Sequence, residues 1–142
     1  MNLSDYVKKR NGVPMGEANS LRNMMNRSLG SGKFSRFWNY WNPIWGYYLG
    51  KHIYKPLKGI FPSALSLILT FGFCGFLHDL VIMMIRWNYS FLFTPWFLIM
   101  GFWVVITEFL NIDYSKYTWV IRALINLAFI CSSLLIAYQI RI

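Results

Sequence analysis

Three long apolar runs occupy the second half of the chain, at 61–85, 91–110 and 117–140. About 20 apolar residues in a helix cross ~30 Å of hydrocarbon, so each run predicts a membrane-crossing helix. Pro62 suits a first helical turn, and Arg86, Trp87 and Tyr89 mark the exit from the first run. Thr94-Pro95 reads as an N-cap followed by the first helical residue of the second run. Asp113, Tyr114 and Lys116 follow that run, and Arg122 falls early in the third. The first half is broken up by polar residues. Gly12, Pro14 and Gly16 predict irregular chain over 1–16. Leu21, Met24, Met25 and Leu29 share a face at helical spacing, which predicts a short surface helix over 17–29 ended by Gly30 and Gly32. Over 34–55, Phe34, Trp38, Trp41, Trp45 and Tyr48 recur every three or four residues, one helical stripe. Polar residues interrupt it too often for a span, so a pair of interfacial helices is expected. Pro43 disfavours helical geometry at Asn42, which places the joint there. The chain thus divides into a basic N-terminal region (1–33), an interfacial aromatic segment (34–58) and a transmembrane helical region (59–142). No internal repeat or low-complexity linker is present.

Composition supports a lipid environment. The chain is 56% hydrophobic and 13% charged, against about 25% charged in ordinary soluble domains. Aromatic residues make up 20%, and Trp and Tyr favour the boundary between hydrocarbon and headgroups. The fold class expected is an all-α integral membrane protein. Net charge is +9, and the first 60 residues hold most of it. There, ten basic residues from Lys8 to Lys58 face only Asp5 and Glu17, leaving +8. Such a block suits nucleic acid or an anionic leaflet. No nucleic-acid fold signature is present, whereas each Lys or Arg near a leaflet contributes about 1 kcal/mol, so the expected partner is the bilayer and not nucleic acid. The same block places the N-terminus in the cytoplasm, at a plasma membrane or bacterial inner membrane. Three crossings then place the C-terminus outside. Cys74 and Cys131 lie inside apolar runs and read as small core residues. The polar start predicts no cleavable signal peptide, and Met1-Asn2 lacks the glycine that myristoylation needs.

Few residues could carry chemistry. His78 and Asp79 lie about 7 Å past Phe73, the midpoint of the first run. A charged group at that depth costs ~3 kcal/mol or more, so such groups pair or line a wet cavity. One reading is structural, for example Asp79 with Arg122. Gly72 and Gly75 precede His78 at three-residue intervals and would let another helix, or a slender substrate, approach closely. His52 reads as a surface histidine, and Glu108 and Asp113 as boundary charges. Ser63, Ser66, Ser132 and Ser133 lack an accompanying base. No metal-ligand spacing, phosphate loop or dinucleotide fingerprint appears.

Two segments in order resemble the membrane-bound O-acyltransferases: Phe37-Trp38-Asn39-Tyr40-Trp41-Asn42, then Cys74-Gly75-Phe76-Leu77-His78, 36 residues apart from Asn42 to His78. The family's signature is an aromatic F-W-x-x-W-[NH] segment at an interfacial break, followed by an apolar helix that holds a histidine. Residues 50–57 look like its connecting segment. The resemblance covers about 34–80. It implies an acyltransferase that moves an acyl group from a thioester donor, acyl-CoA-like, to a hydroxyl on a membrane-proximal lipid, sugar or polymer. It implies no cofactor beyond that co-substrate. His78 would be the catalytic base, and Asn42 a catalytic donor to the carbonyl oxygen. Trp38, Trp41, Lys51, Lys55, Gly72 and Gly75 would contact substrate, with Lys51, Lys55 and Lys58 attracting phosphates. Asp79, where the family often has a small residue, and Arg122 would tune the histidine or serve structure. Family members have many more spans, so three helices imply a homo-oligomer or a partner subunit. Two other readings stand beside this one: a non-catalytic small subunit that scaffolds a larger complex, and a transporter component with His78, Asp79 and Arg122 along a polar path.

Overall fold

The computed structural model describes residues 1–140. Helices account for most of them, and the described residues contain no β-strand. Helix α1 (Leu3–Asn11) is a departure from expectation, because 1–11 was read as irregular. Asn2 caps it, its side-chain oxygen accepting from the Asp5 N–H at 2.8 Å. Gly12, at φ 82°, closes it, its N–H donating to the Lys8 carbonyl at 2.8 Å. The glycine read as a breaker is therefore the helix's stop signal.

Helix α2 (Ser20–Leu29) begins three residues later than expected and ends at Gly30 as expected. Helices α3 (Phe34–Tyr40) and α4 (Pro43–Leu49) split the aromatic stripe at the anticipated joint. A π-helical turn (Gly50–Tyr54) and the short α5 (Lys55–Lys58) follow. Helix α6 (Ser63–Arg86) starts just after Pro62, which sits at the N-cap rather than in the first turn. Helix α7 (Phe93–Phe109) and helix α8 (Trp119–Ile140) complete the chain.

Two helices, α6 and α8, are long and apolar enough to cross a membrane, with mean hydropathy of 2.0 and 2.1 over their most apolar stretches. At 1.5 Å per residue their 24 and 22 residues extend about 36 and 33 Å. Helix α7 has 17 residues, about 26 Å, and falls short of the expected second span. Its start also differs from expectation. Thr94 is its second residue, not its cap, because Asp79 of α6 supplies the capping group (below).

Helix α7 packs against both α6 and α8. Glycines make the α6–α7 approach close: a Cβ on Gly75 would strike the Phe93 carbonyl oxygen, and one on Gly101 would lie 2.9 Å from the Phe71 Cβ. The first half of the chain wraps onto this layer. Phe34 and Phe37 of α3 are buried with Met100 and Val104 of α7, and the Phe34 ring stacks on Phe129 of α8 at 4.8 Å. A polar clasp fixes the wrap. Asn126 of α8 is fully buried and donates to the carbonyls of Leu29 (2.8 Å) and Ser31 (3.0 Å), while its side-chain oxygen accepts from the Tyr114 hydroxyl. Burial pushes the Tyr114 phenol well above its ordinary range, so the hydroxyl keeps its proton and stays a donor.

Candidate functional site

A cavity of about 750 Å³ opens between the N-terminal helices and the flank of α6. Its size falls in the ~300–1,000 Å³ range typical of small-ligand sites. Helix α6 forms the longest wall with Leu67, Phe71, Leu77 and Val81, and α7 adds Phe97. Trp38 and Asn39 of α3, Trp41 and Asn42 at the joint, and Trp45 of α4 face them. Tyr6 and Arg10 of α1 close a further side. His78 and Asn42, paired by sequence resemblance, line this same space.

The local chemistry at Asn42 follows from Pro43. With the helical region disfavoured before proline, Asn42 takes φ 43°, ψ 69°, a left-handed geometry that Asn tolerates better than most residues. Its side-chain oxygen accepts from the Trp45 N–H at 3.3 Å and caps α4. That bond commits the oxygen edge of the amide, leaving the Nδ2 hydrogens without a protein partner among the described residues. The amide group offered to a ligand is thus a donor.

His78 is fixed in a comparable way. Its Nδ1 lies 2.7 Å from the Cys74 carbonyl oxygen. A carbonyl only accepts, so Nδ1 is the donor in this bond, and in the neutral tautomer that this fixes the lone pair is on Nε2. Nε2 bonds no other described residue. The ring lies against Phe93 and Phe97, with centroids 5.3 and 5.1 Å apart, which holds its plane. Cys74, one turn before His78, also lines the cavity and accepts from the Trp45 indole N–H at 3.1 Å. This contact ties α4 to α6 between the two candidate groups.

Asp79 points elsewhere. Only 1% exposed, it accepts from the backbone N–H groups of Leu92 (3.1 Å), Phe93 (2.9 Å) and Thr94 (2.7 Å) and from the Thr94 hydroxyl (2.6 Å). These are the orphan donors of a helix start, so Asp79 caps α7 across the helix pair. The suggested contact with Arg122 does not form. Arg122 donates instead to the carbonyls of Ser115 (3.2 Å) and Tyr117 (3.0 Å), in the loop after the C-terminal end of α7, whereas Asp79 holds the N-terminal end of that helix. Neither residue lines the cavity.

Two more assignments change. Gly72 and Gly75 face α7, where Leu98 and Phe93 occupy the space beside them, and they do not line the cavity. Small residues here let α7 approach closely. Lys51 and Lys55 also lie outside it. Both are exposed, and the Lys51 ammonium sits 5.8 Å from the Tyr47 ring centroid. Trp38 and Trp41 do line it. Sequence reasoning overlooked Tyr6, Arg10 and Asn39. The first two sit on the helix that 1–16 was not expected to form. Their four-residue spacing on α1, which stacks the Arg10 guanidinium on the Tyr6 ring at 5.1 Å, was the available signal. Among the described residues no group of three or more His, Cys, Asp or Glu could hold a metal ion.

Comparison with protein-family profiles, with curated protein sequences and with solved structures finds no match to this chain, so the site's own geometry carries the functional reading.

Proposed function

We propose that the chain is a membrane-embedded acyltransferase that moves an acyl group from a thioester donor to the hydroxyl of a membrane-proximal lipid, sugar or polymer. The carrying observation is that Asn42 and His78 line one cavity, the amide presenting its donor edge and the ring a free Nε2. In the proposed reaction His78 Nε2 takes the hydroxyl proton as the oxygen attacks the thioester carbonyl. Asn42 Nδ2 donates to the carbonyl oxygen as negative charge develops there. The C–S bond then breaks, and the imidazolium returns the proton to the thiolate. The apolar wall of Leu67, Phe71, Leu77 and Phe97 takes the acyl chain.

The membrane setting is part of the proposal. Only 28% and 22% of the most apolar stretches of α6 and α8 are buried within the protein, so most of their apolar side chains face outward, as they would toward lipid. Helix α7 makes a third crossing, with the apolar residues flanking it completing its length. Helices α2 to α5 lie at the boundary, and the basic first half faces the cytoplasm.

The test is thioester turnover by the purified chain in lipid nanodiscs, with free CoA followed over time. Wild type consumes acyl-CoA, and His78→Ala does not while remaining inserted and folded. Equal rates in both proteins would refute the role of His78.

A second reading, a non-catalytic subunit, draws on a different observation. Helix α7 is flanked on both sides, whereas α6 and α8 expose Leu65, Phe73, Leu124 and Leu135 outward. A partner subunit or further copies of this chain would cover such faces. Co-purification of a stoichiometric membrane partner, with no turnover in its presence, would favour it.

A further inference from the structure

Arg10 is the one charged side chain among the residues lining the cavity. The rest of the wall is mostly aromatic and aliphatic, and no carboxylate lines it. Its guanidinium makes no ion pair with a described residue. The Nε is buried without a hydrogen-bond partner, and the guanidinium lies over the Tyr6 ring. A buried donor without a partner is costly, and here the cost falls on Nε, since Arg10 as a whole is half-buried. The protein could have supplied an acid here, as it supplies Glu108 to the Ser35 hydroxyl and Asp79 to α7. It leaves Arg10 open instead, on the rim of a space lined by Trp38, Phe71, Leu77 and Phe97.

We infer that the cavity binds a single-chain anionic amphiphile, its phosphate held by Arg10 and its chain laid along α6. Guanidinium pairs well with phosphate, offering two parallel donors and carrying its charge at any physiological pH. The inference deepens the acyl-transfer reading by naming the charge of the chain-bearing ligand. It needs only the cavity, and binding is measurable without turnover. The phosphate could belong to a single-chain lipid or to the thioester donor itself, and the test separates these.

The experiment uses the full chain in nanodiscs of zwitterionic lipid. Dodecyl phosphate and dodecanol, each carrying bromine on the chain, are titrated while quenching of tryptophan fluorescence is read, since Trp38, Trp41 and Trp45 line the cavity. The phosphate should half-saturate at about a tenfold lower concentration than the alcohol, the effect of one charge-assisted contact. Arg10→Gln should abolish that preference, and Arg10→Lys should retain most of it. Lys9→Gln, which removes the same charge from an exposed position outside the cavity, should leave it intact. Displacement of the phosphate probe by lauroyl-CoA assigns the Arg10 contact to the donor, and failure of displacement assigns it to a lipid headgroup. Equal half-saturation of phosphate and alcohol in the wild type overturns the inference, as does an unchanged preference in a folded Arg10→Gln protein. Charge-selective binding without turnover would sink the acyl-transfer reading alone. Turnover without charge-selective binding would sink this one alone.

Discussion

At the scale of single residues, the site turns on two side chains whose orientation the backbone decides. Asn42 combines a conformational task with a chemical one, and Asn42→Gly separates them. Glycine accepts φ 43° freely and costs an N-cap only a few tenths of a kcal/mol, so the melting temperature should hardly move. Turnover should nevertheless fall about 10²–10³-fold with the donor gone. A large loss of stability with unchanged turnover would mean that the residue serves the turn alone. Asp79 gives the opposite pattern. Asp79→Ala strands the donors at the start of α7 and should cost about 3 kcal/mol or more, read as a drop in melting temperature, while Asp79→Asn keeps one acceptor and should cost less. The turn at Asn42 and the place of His78 inside a helix were legible in the sequence because a proline beside an asparagine and a histidine deep in an apolar run are both local oddities. The role of Asp79 was not, because its partners are backbone amides 13 to 15 residues away, and backbone amides leave no mark in a sequence.

At the scale of elements, apolar length and stop signals were enough to place α2, α6 and α8 to within a few residues. They failed for α1, where a run of charged residues hid a capped helix. They also overestimated α7, because an apolar run does not say where the chain begins to turn. The glycines in α6 were correctly read as points of close approach, but the sequence could not say what approaches. Gly75→Ala tests the answer. A methyl group there meets the rigid Phe93 backbone, and overpacking of this kind costs about 1–3 kcal/mol. Thermal unfolding in detergent should show the loss, and the purified variant should expose the α6–α7 hairpin to protease earlier. The loop between α7 and α8 adds a pH dependence. The hydroxyl and N–H of Ser115 beside Asp113 hold its carboxyl below the usual carboxylate range. A lowered folded value means that its contribution is present at neutral pH and lost as pH falls through the acid range. Asp113 is fully exposed, so the effect is small. Asp113→Asn should flatten the acid-side decline in melting temperature by a measurable margin, and identical profiles would dismiss the contact.

At the scale of the whole molecule, the division into basic region, aromatic segment and helical region describes composition better than packing. The aromatic segment expected at an interface puts Phe34 and Phe37 into the core against α7, so the first half is a wall of the same unit. Asn126 locks that wall in place. Replacing it with Leu leaves the Leu29 and Ser31 carbonyls and the Tyr114 hydroxyl without partners, a loss of about 2–4 kcal/mol. Loosening of α2 and α3 should appear as faster amide exchange there than in α6. The clasp also sets an order of events during synthesis. Asn126 lies 97 and 95 residues after the carbonyls it holds, so the clasp on the α2–α3 connection closes only once α8 has left the ribosome, after α3 has met α7 and Trp45 has met Cys74. A nascent chain halted before that helix would already contain every residue that lines the cavity, Asn42 and His78 among them, and would lack only the clasp that holds the wrap in place.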